Sequence, residues 1–251
     1  MISATEKAGR ALTRDFGEVE QLQVSRKGLG DFVSTADHRA EKIIIQELTK
    51  ARPGFSFLLE ETGAIDGTDP EHCWIVDPLD GTLNFLHGIP QFCISLALKK
   101  GNEVVAGVIF NPILDELYWA EKGKGAFLNQ RRLRVSGRRH LDEALLAIGT
   151  PYQQQAVVND INYTGRLAGK VAGIRRFGSA ALDLAYVAAG KFEGCFATHL
   201  KAWDVAAGIL MVKEAGGYAC DDRGGQDILN SGSVLAANDH LFDPLSKILI
   251  G

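Results

Sequence analysis

The sequence predicts a layered α+β protein, and three observations carry that expectation. Apolar residues recur at helical spacing near both ends of the chain. From Phe92 to Val135, short apolar runs alternate with turn residues, the pattern of successive antiparallel hairpins. From Leu145 onward, strand-like and helix-like runs interleave. The 251 residues are 46% hydrophobic and 23% charged, which suits one large core or two joined ones and excludes wholesale disorder. Twenty-seven basic against 31 acidic side chains, a net charge of −4, give no bulk attraction for nucleic acid. No apolar run approaches the length of a membrane span.

Taken in order, Ser3 and Glu6 have the form of a capping box, and Ala8, Leu12 and Phe16 continue one helical face. Lys27 to Asp31 is expected to be a loop, leading through Asp31 to Asp37 into a helix over Ala40 to Leu48 that Arg52-Pro53-Gly54 closes. Phe55 to Leu59 is a short strand ending in Glu60 and Glu61. The glycine-, acid- and proline-rich stretch up to Cys73 is a surface loop, and Cys73 to Val76 is a buried strand that again ends in acid. The meander follows, with strands near 93–98, 104–110, 116–120 and 126–128. In the second half the expected strands are 145–148, 192–197 and 234–237, and the expected helices are 155–172, 180–189, 205–214 and 241–250. The whole, 1–251, is expected to be a single unit with an amino-terminal α+β half to about 141, a carboxyl-terminal α/β half from about 142, and the active site between them. The charged residues throughout Met1 to Phe16 lack the apolar core of an export signal. Cys73, Cys93, Cys195 and Cys220 form no CxxC pair, so reduced thiols in a cytoplasm are expected.

The chemistry concentrates in the stretch from Trp74 to Phe85. An apolar strand runs into Asp77 and Asp80, with Pro78 fixing the backbone between them, so both carboxylates can face one point. Mg²⁺ takes oxygen ligands, usually one or two carboxylates with phosphate and water, and this turn offers that set together with the Leu79 carbonyl. Gly81-Thr82 opens a short helical segment whose N–H groups would point toward an anion beside the metal. Asp-Pro and Asp-Gly are also ordinary turn dipeptides, and Asp80 is equally able to cap the helix that follows. The acid-ended strand recurs at Glu60. A further acid, Asp204, follows Trp203 at the start of the apolar stretch Val205 to Val212, where helix capping is its plain alternative.

These residues resemble the inositol monophosphatase family of Mg²⁺-dependent, lithium-sensitive phosphatases. The family's first signature resembles Trp74 to Phe85, and its second resembles Trp203 to Gly208 continuing to Glu214-Ala-Gly-Gly217. Asp31 to Asp37, Leu58 to Glu61 and Gly178 to Ala181 complete an ordered set over nearly the whole chain. The resemblance implies a layered α/β/α/β/α sandwich, the sugar phosphatase fold, usually dimeric, that hydrolyses a small polyol or sugar phosphate such as inositol 1-phosphate by metal-activated water. It implies that Glu60, Asp77, the Leu79 carbonyl and Asp80 ligate metal and that Asp204 closes a second metal's sphere. It gives Asp37, Glu60 and Thr82 catalytic roles, with the Thr82 hydroxyl and Asp37 orienting the attacking water. Gly81 and Thr82 would hold the phosphate, and Asp80, Gly178, Ser179, Ala180 and Asp204 would contact substrate. Lys27 would join the outer electrostatic shell. The implied cofactor is Mg²⁺, and the implied partners are a small phosphate ester and a second copy of the chain, with no membrane and no nucleic acid.

Hydrolysing a phosphate monoester requires neutralising a dianion, making a nucleophile from water and stabilising the leaving alkoxide, which clustered carboxylates with Mg²⁺ can do. Four acids repel one another, so a cation is expected to order the Glu60 to Cys73 loop. One position departs from the family: its inositol phosphatases carry an acid six residues before the Trp of Trp-Asp, and here Ala197 stands there. Thr198, His199 and Lys201 remain to offer polar contacts, and histidinol phosphate or fructose bisphosphate stay open as substrates. A second reading, of a different class, is a binding protein docking on the transcription machinery, as some bacterial relatives do. Arg131 to Arg139 alternates around Leu133 and Val135 like a solvated edge strand. Ser179 lies in no Gly-x-Ser-x-Gly elbow and is not expected to be a nucleophile.

Overall fold

The structure, a computed structural model, describes residues 1–19, 23–28, 31–149 and 162–251. Two amphipathic helices open the chain, α1 (Ile2–Phe16) and α2 (Thr35–Ala51). Ala4, Ala8 and Leu12 on one, and Ala40, Ile44 and Leu48 on the other, recur every four residues and form the buried stripes. The capping box expected at Ser3 does not form: Met1 precedes the first turn without a side-chain cap, and Ser3 lies inside it. The second helix begins earlier than its apolar stripe suggests because Ser34 caps it. Ser34 Oγ accepts from Ala36 N–H at 3.1 Å, while Asp37 Oδ2 accepts from Ser34 N–H at 2.8 Å. The expected loop at 27–31 belongs instead to an antiparallel pair, β1 (Val24–Gly28) and β2 (Asp31–Ser34), with Leu29 and Gly30 outside the described residues.

The large sheet comprises β3 (Ser56–Leu59), β4 (Gly63–Ile65), β5 (His72–Asp80), β6 (Cys93–Lys100), β7 (Glu103–Asn111), β8 (Glu116–Glu121), β9 (Gly125–Leu128) and β10 (Arg131–Arg132). Its order is β10-β9-β8-β7-β6-β5-β3-β4, so the expected meander is present and ends in a two-residue edge strand of arginines. β3 and β5 run parallel with Leu59 opposite Val76, which brings the following residues, Glu60 and Asp77, to the same sheet edge. The stretch between them is not a bare loop. β4 pairs with β3, buried Glu41 accepts from Glu61 N–H at 3.0 Å and from the Thr62 hydroxyl, and Ser56 Oγ accepts from Gly67 N–H at 3.1 Å. The chain's own hydrogen bonds thus hold part of the segment that a cation is expected to order.

The small sheet has the order β12-β11-β13-β15-β14, built from β11 (Leu145–Gly149), β12 (Gly173–Arg175), β13 (Gly194–Thr198), β14 (Tyr218–Cys220) and β15 (Ser233–Ala237). Helices α3 (Thr82–Leu86), α4 (162–167), α5 (Ala180–Ala188), α6 (Ala202–Glu214), α7 (Ile228–Ser231) and α8 (Phe242–Leu249) complete the elements used here. Of the helix expected over 155–172, positions 155–161 lie outside the described residues, and the helical turns end at 167, before the short strand β12.

Three apolar clusters separate five layers. The first joins α1 and α2 to one face of the large sheet through Phe57, Leu59, Trp74, Val76, Ile94 and Leu96. The second lies between the two sheets, where α5 and α6 meet Ile75, Ala97 and Ile109 on one side and Ala147, Cys195 and Ala236 on the other. The third places Leu167, Leu245 and Leu249 over the outer face of the small sheet, against Leu146, Ile148, Phe196 and Leu235. This is the α/β/α/β/α sandwich. Alternate strand residues serve opposite layers, and the central helices are apolar all round because both sides are covered. The two helices approach closely at Gly208, where a Cβ would fall 2.5 Å from Leu184 Cβ.

Candidate active site

The parallel pairing of β3 with β5 starts the site, and the bulge after Asp77 shapes it. Regular pairing with β6 breaks between Asp77 and Asp80, and Asp77 Oδ1 accepts from Leu79 N–H at 2.9 Å, closing a tight turn around Pro78. Gly81 follows at φ 96, a left-handed backbone where a Cβ would also stand 2.9 Å from the Gln91 carbonyl, and α3 begins at Thr82. The Thr82 hydroxyl lies 3.0 Å from the Leu79 carbonyl and 3.1 Å from Asp37 Oδ1, and donates between them. Asp37 is buried, and its other oxygen accepts from the Ser34 hydroxyl at 2.6 Å. Burial pushes the Asp37 carboxyl up, against hydrogen bonds from Ser34 and Thr82 that pull it down.

Asp80 is a helix cap, though not of the helix that follows it. Its Oδ2 accepts from the Ser179 hydroxyl at 2.7 Å and from Ala181 N–H at 2.8 Å, at the start of α5. Asp204, in the first turn of α6, accepts from Lys201 N–H at 2.7 Å, so the capping alternative is realised there too, from inside the helix. The start of α6 is tied to the large sheet by Ser95 Oγ, which donates to the Trp203 carbonyl at 3.0 Å.

Electrostatically the acids form one group. Burial, followed by the charges of Glu60, Asp80 and Asp204, pushes the Asp77 carboxyl well above the usual carboxylate range. Burial and Asp80 do the same to Asp204, and burial raises Asp80 against the donors around it. Among the described residues, no three His, Cys, Asp or Glu side chains already stand in a closed metal shell. One oxygen each of Asp77, Asp80 and Asp204 is committed to protein donors. The donor set itself, carboxylates with a backbone carbonyl and no thiol or imidazole, is the kind a hard divalent cation takes, and a cation would relieve the mutual repulsion.

Beside this group lies a cavity of about 220 Å³ lined by Asp80, Gly178, Ser179, Ala180 and Asp204, five of the seven residues expected to contact substrate, with Gly81 and Thr82 outside its lining, together with Asp183, Arg176, Thr198 and His199. Ala197 is only 6% exposed, and its Cβ stands 2.6 Å from where a Cβ on Gly149 would be, so this position contributes small size rather than a polar contact. The Lys27 side chain lies outside the described residues.

Sequence reasoning gave no role to Asn84 or Asp183. Asn84 Nδ2 donates to the Gln91 and Phe177 carbonyls, both at 2.7 Å, clamping α3 to the turn before α5. Its place inside the Trp74 to Phe85 stretch was the available signal. For Asp183, the signal was an acid within the otherwise apolar Ala180 to Gly190 run.

The pattern of the inositol monophosphatase family matches residues 1–248. An inositol-1-monophosphatase of Mesorhizobium japonicum is 56% identical over 248 residues, covering 98% of this chain and 93% of that protein. The Nus factor SuhB of Escherichia coli is 41% identical, covering 94% of this chain and 89% of that protein. Among solved structures, the extragenic suppressor protein suhB of Bartonella henselae superposes with a TM-score of 0.97 at 54% identity, covering 99% of this chain and 96% of that one.

Proposed function

The chain belongs to the inositol monophosphatase family and is a phosphoric monoester hydrolase, and from that premise we propose that it hydrolyses a small polyol or sugar phosphate, inositol 1-phosphate among them, with Mg²⁺ as cofactor. The observation that carries the reading is the meeting of Glu60, just past β3, with Asp77 and Asp80 of β5 and Asp204 of α6 beside a cavity. Glu60, Asp77, the Leu79 carbonyl, Asp80 and Asp204 would hold the metal. Bound there, Mg²⁺ would neutralise the phosphate, lower the pKa of water and stabilise the leaving oxygen.

The residues of the chain do the rest. The Thr82 hydroxyl, already within reach of Asp37 Oδ1, orients the attacking water; as the water proton moves to Thr82 Oγ, the hydroxyl's own proton passes to Asp37. Ser34 fixes the Asp37 carboxyl for that transfer. Glu60 shares the handling of water at the sheet edge, and the N–H groups of Gly81 and Thr82 hold the phosphate at the start of α3. Gly178, Ser179 and Ala180 form the wall against which the alcohol part of the ester lies. The active site falls between an amino-terminal half, 1–141, and a carboxyl-terminal half, 142–251, of one unit. The enzyme works as a lithium-sensitive homodimer in the cytoplasm. No helix among the described residues is long and apolar enough to cross a membrane.

Phosphate release from inositol 1-phosphate and glycerol 2-phosphate, with and without Mg²⁺, tests this reading. Mg²⁺-dependent release that is abolished in Asp80→Asn supports it, and no release from either ester defeats it. The similarity to proteins named Nus factor SuhB favours one second reading, docking on the transcription machinery. Tight association with a protein or RNA partner, lost when the Arg131 to Arg139 cluster is neutralised and accompanied by no turnover, would favour it instead.

A further inference from the structure

The cavity beside the carboxylates is lined by three acids, Asp80, Asp183 and Asp204. Two of them belong to the metal-holding set, and the third has no role in the chemistry described so far. Asp183 stands one turn into α5, is 5% exposed, and its Oδ1 has no hydrogen-bond partner. A buried carboxyl oxygen without a donor is costly to maintain, and in native structures such an atom calls for an explanation. It lies under the substrate wall: Ser179 and Ala180, four and three residues earlier, carry the contacts to Asp80 and line the same cavity. Gly149 lines the same cavity from the small sheet and offers no side-chain polar atom to pair with Asp183.

We propose that Asp183 is a specificity-determining residue of this site, its carboxyl group hydrogen-bonding a hydroxyl on the carbon skeleton of the phosphate ester. The proposal rests on the phosphatase reading above and adds to it which feature of the substrate is recognised. A carboxyl group takes a hydroxyl or an ammonium donor. On the phosphatase reading Asp80 and Asp204 are taken up by the cation, which leaves Asp183 in a cavity also lined by the Arg176 guanidinium, so an ammonium group would meet a like charge that a neutral hydroxyl does not. The preferred ester is therefore a polyol rather than an amino alcohol. Removal of the Asp183 carboxyl lowers discrimination because a site built to pair with a hydroxyl rejects analogues that lack it.

The experiment measures kcat/KM at saturating Mg²⁺ for inositol 1-phosphate, for histidinol phosphate and for phenyl phosphate, which carries no hydroxyl, in the wild type, Asp183→Ala and Asp183→Asn. The ratio of inositol 1-phosphate to phenyl phosphate falls about tenfold in Asp183→Ala, chiefly through KM, and recovers to within about threefold of the wild type in Asp183→Asn, whose amide oxygen still accepts. Asp183→Leu, which fills the same buried space without polar atoms, replaces Asp183→Ala if the latter does not fold. An unchanged ratio, whether both rates fall together or neither falls, assigns Asp183 a structural role and overturns the proposal. A larger loss on histidinol phosphate than on inositol 1-phosphate overturns it as well. Absence of phosphate release from every ester by the wild type would instead defeat the phosphatase reading.

Discussion

Asp80 Oδ2 accepts from the Ser179 hydroxyl at 2.7 Å, a contact between residues 99 positions apart that ties the end of β5 to the first turn of α5. The same oxygen accepts from Ala181 N–H, so the carboxylate proposed to hold metal also caps the helix that forms the substrate wall. The proposed metal site and the pocket thereby share one side chain. Asp80→Asn removes the charge while keeping the shape. Altering groups that merely support metal ligands costs about 10–100-fold, so loss of a ligand is expected to lower kcat/KM by at least about 100-fold, read as phosphate release at fixed Mg²⁺.

Ser179→Ala deletes the donor to Asp80 together with the oxygen that accepts from Leu182 N–H. The cap alone contributes about 1 kcal/mol, and a hydrogen bond to a charged group about 1.5–3 kcal/mol. Urea unfolding of the variant is expected to show a loss of about 2 kcal/mol or more, with a weaker apparent affinity for Mg²⁺. An unchanged midpoint would mean that the contact carries no net free energy.

Asn84→Ala leaves the Gln91 and Phe177 carbonyls without the side-chain donor that joins them. The expected cost is about 1–3 kcal/mol, measured by thermal or urea unfolding, with reduced turnover because the Phe177-Gly178 turn positions Ser179. Stability equal to the wild type would show that water replaces the amide fully.

Burial holds the Asp77, Asp80 and Asp204 carboxyls above their ordinary range, and the charges of neighbouring acids add to the shift at Asp77 and Asp204. Between about pH 4 and those raised values, the folded chain binds more protons than the unfolded one, so the stability of the chelated protein falls as pH rises through that window. A cation that binds only the folded, ionised cluster opposes the fall. The Tm gain on adding Mg²⁺ is therefore expected to be larger at about pH 8 than at about pH 5. Equal gains at the two values would contradict the clustered-carboxylate account.

Gly149→Ala places a Cβ 2.6 Å from Ala197 Cβ on the neighbouring strand, closer than packed carbons stand. Overpacking of this kind costs about 1–3 kcal/mol. Because Gly149 also lines the cavity, KM for inositol 1-phosphate is expected to rise while kcat changes less, in steady-state kinetics on the purified variant.

Local signals were legible and distant pairings were not. The acid-ended strands at Glu60 and Asp77 stood out because each is a continuous run, and their parallel pairing explains why the pattern occurs twice. β4 was hidden by glycine and acid in its neighbourhood, since its strand character comes from pairing with β3 rather than from propensity. The pairing of β1 with β2 was obscured in the same way by the glycines around Leu29. Asp80 was read as a possible cap, but the sequence pointed to α3, and only the tertiary arrangement assigns it to α5. Asp183 and Asn84 went unnoticed because their significance depends on what faces them. Asp183 is conspicuous by the missing partner of one oxygen, and Asn84 by its two carbonyl acceptors.

The most direct measurement is phosphate release from inositol 1-phosphate by the chelated protein as Mg²⁺ is added back, followed in parallel for the wild type and Asp204→Asn. The expected wild-type rate rises from background to a plateau with Mg²⁺, while the variant stays near background at the same concentrations. Full wild-type turnover in excess chelator, or an Asp204→Asn curve that overlays the wild type, would contradict a metal site shared between β3, β5 and α6.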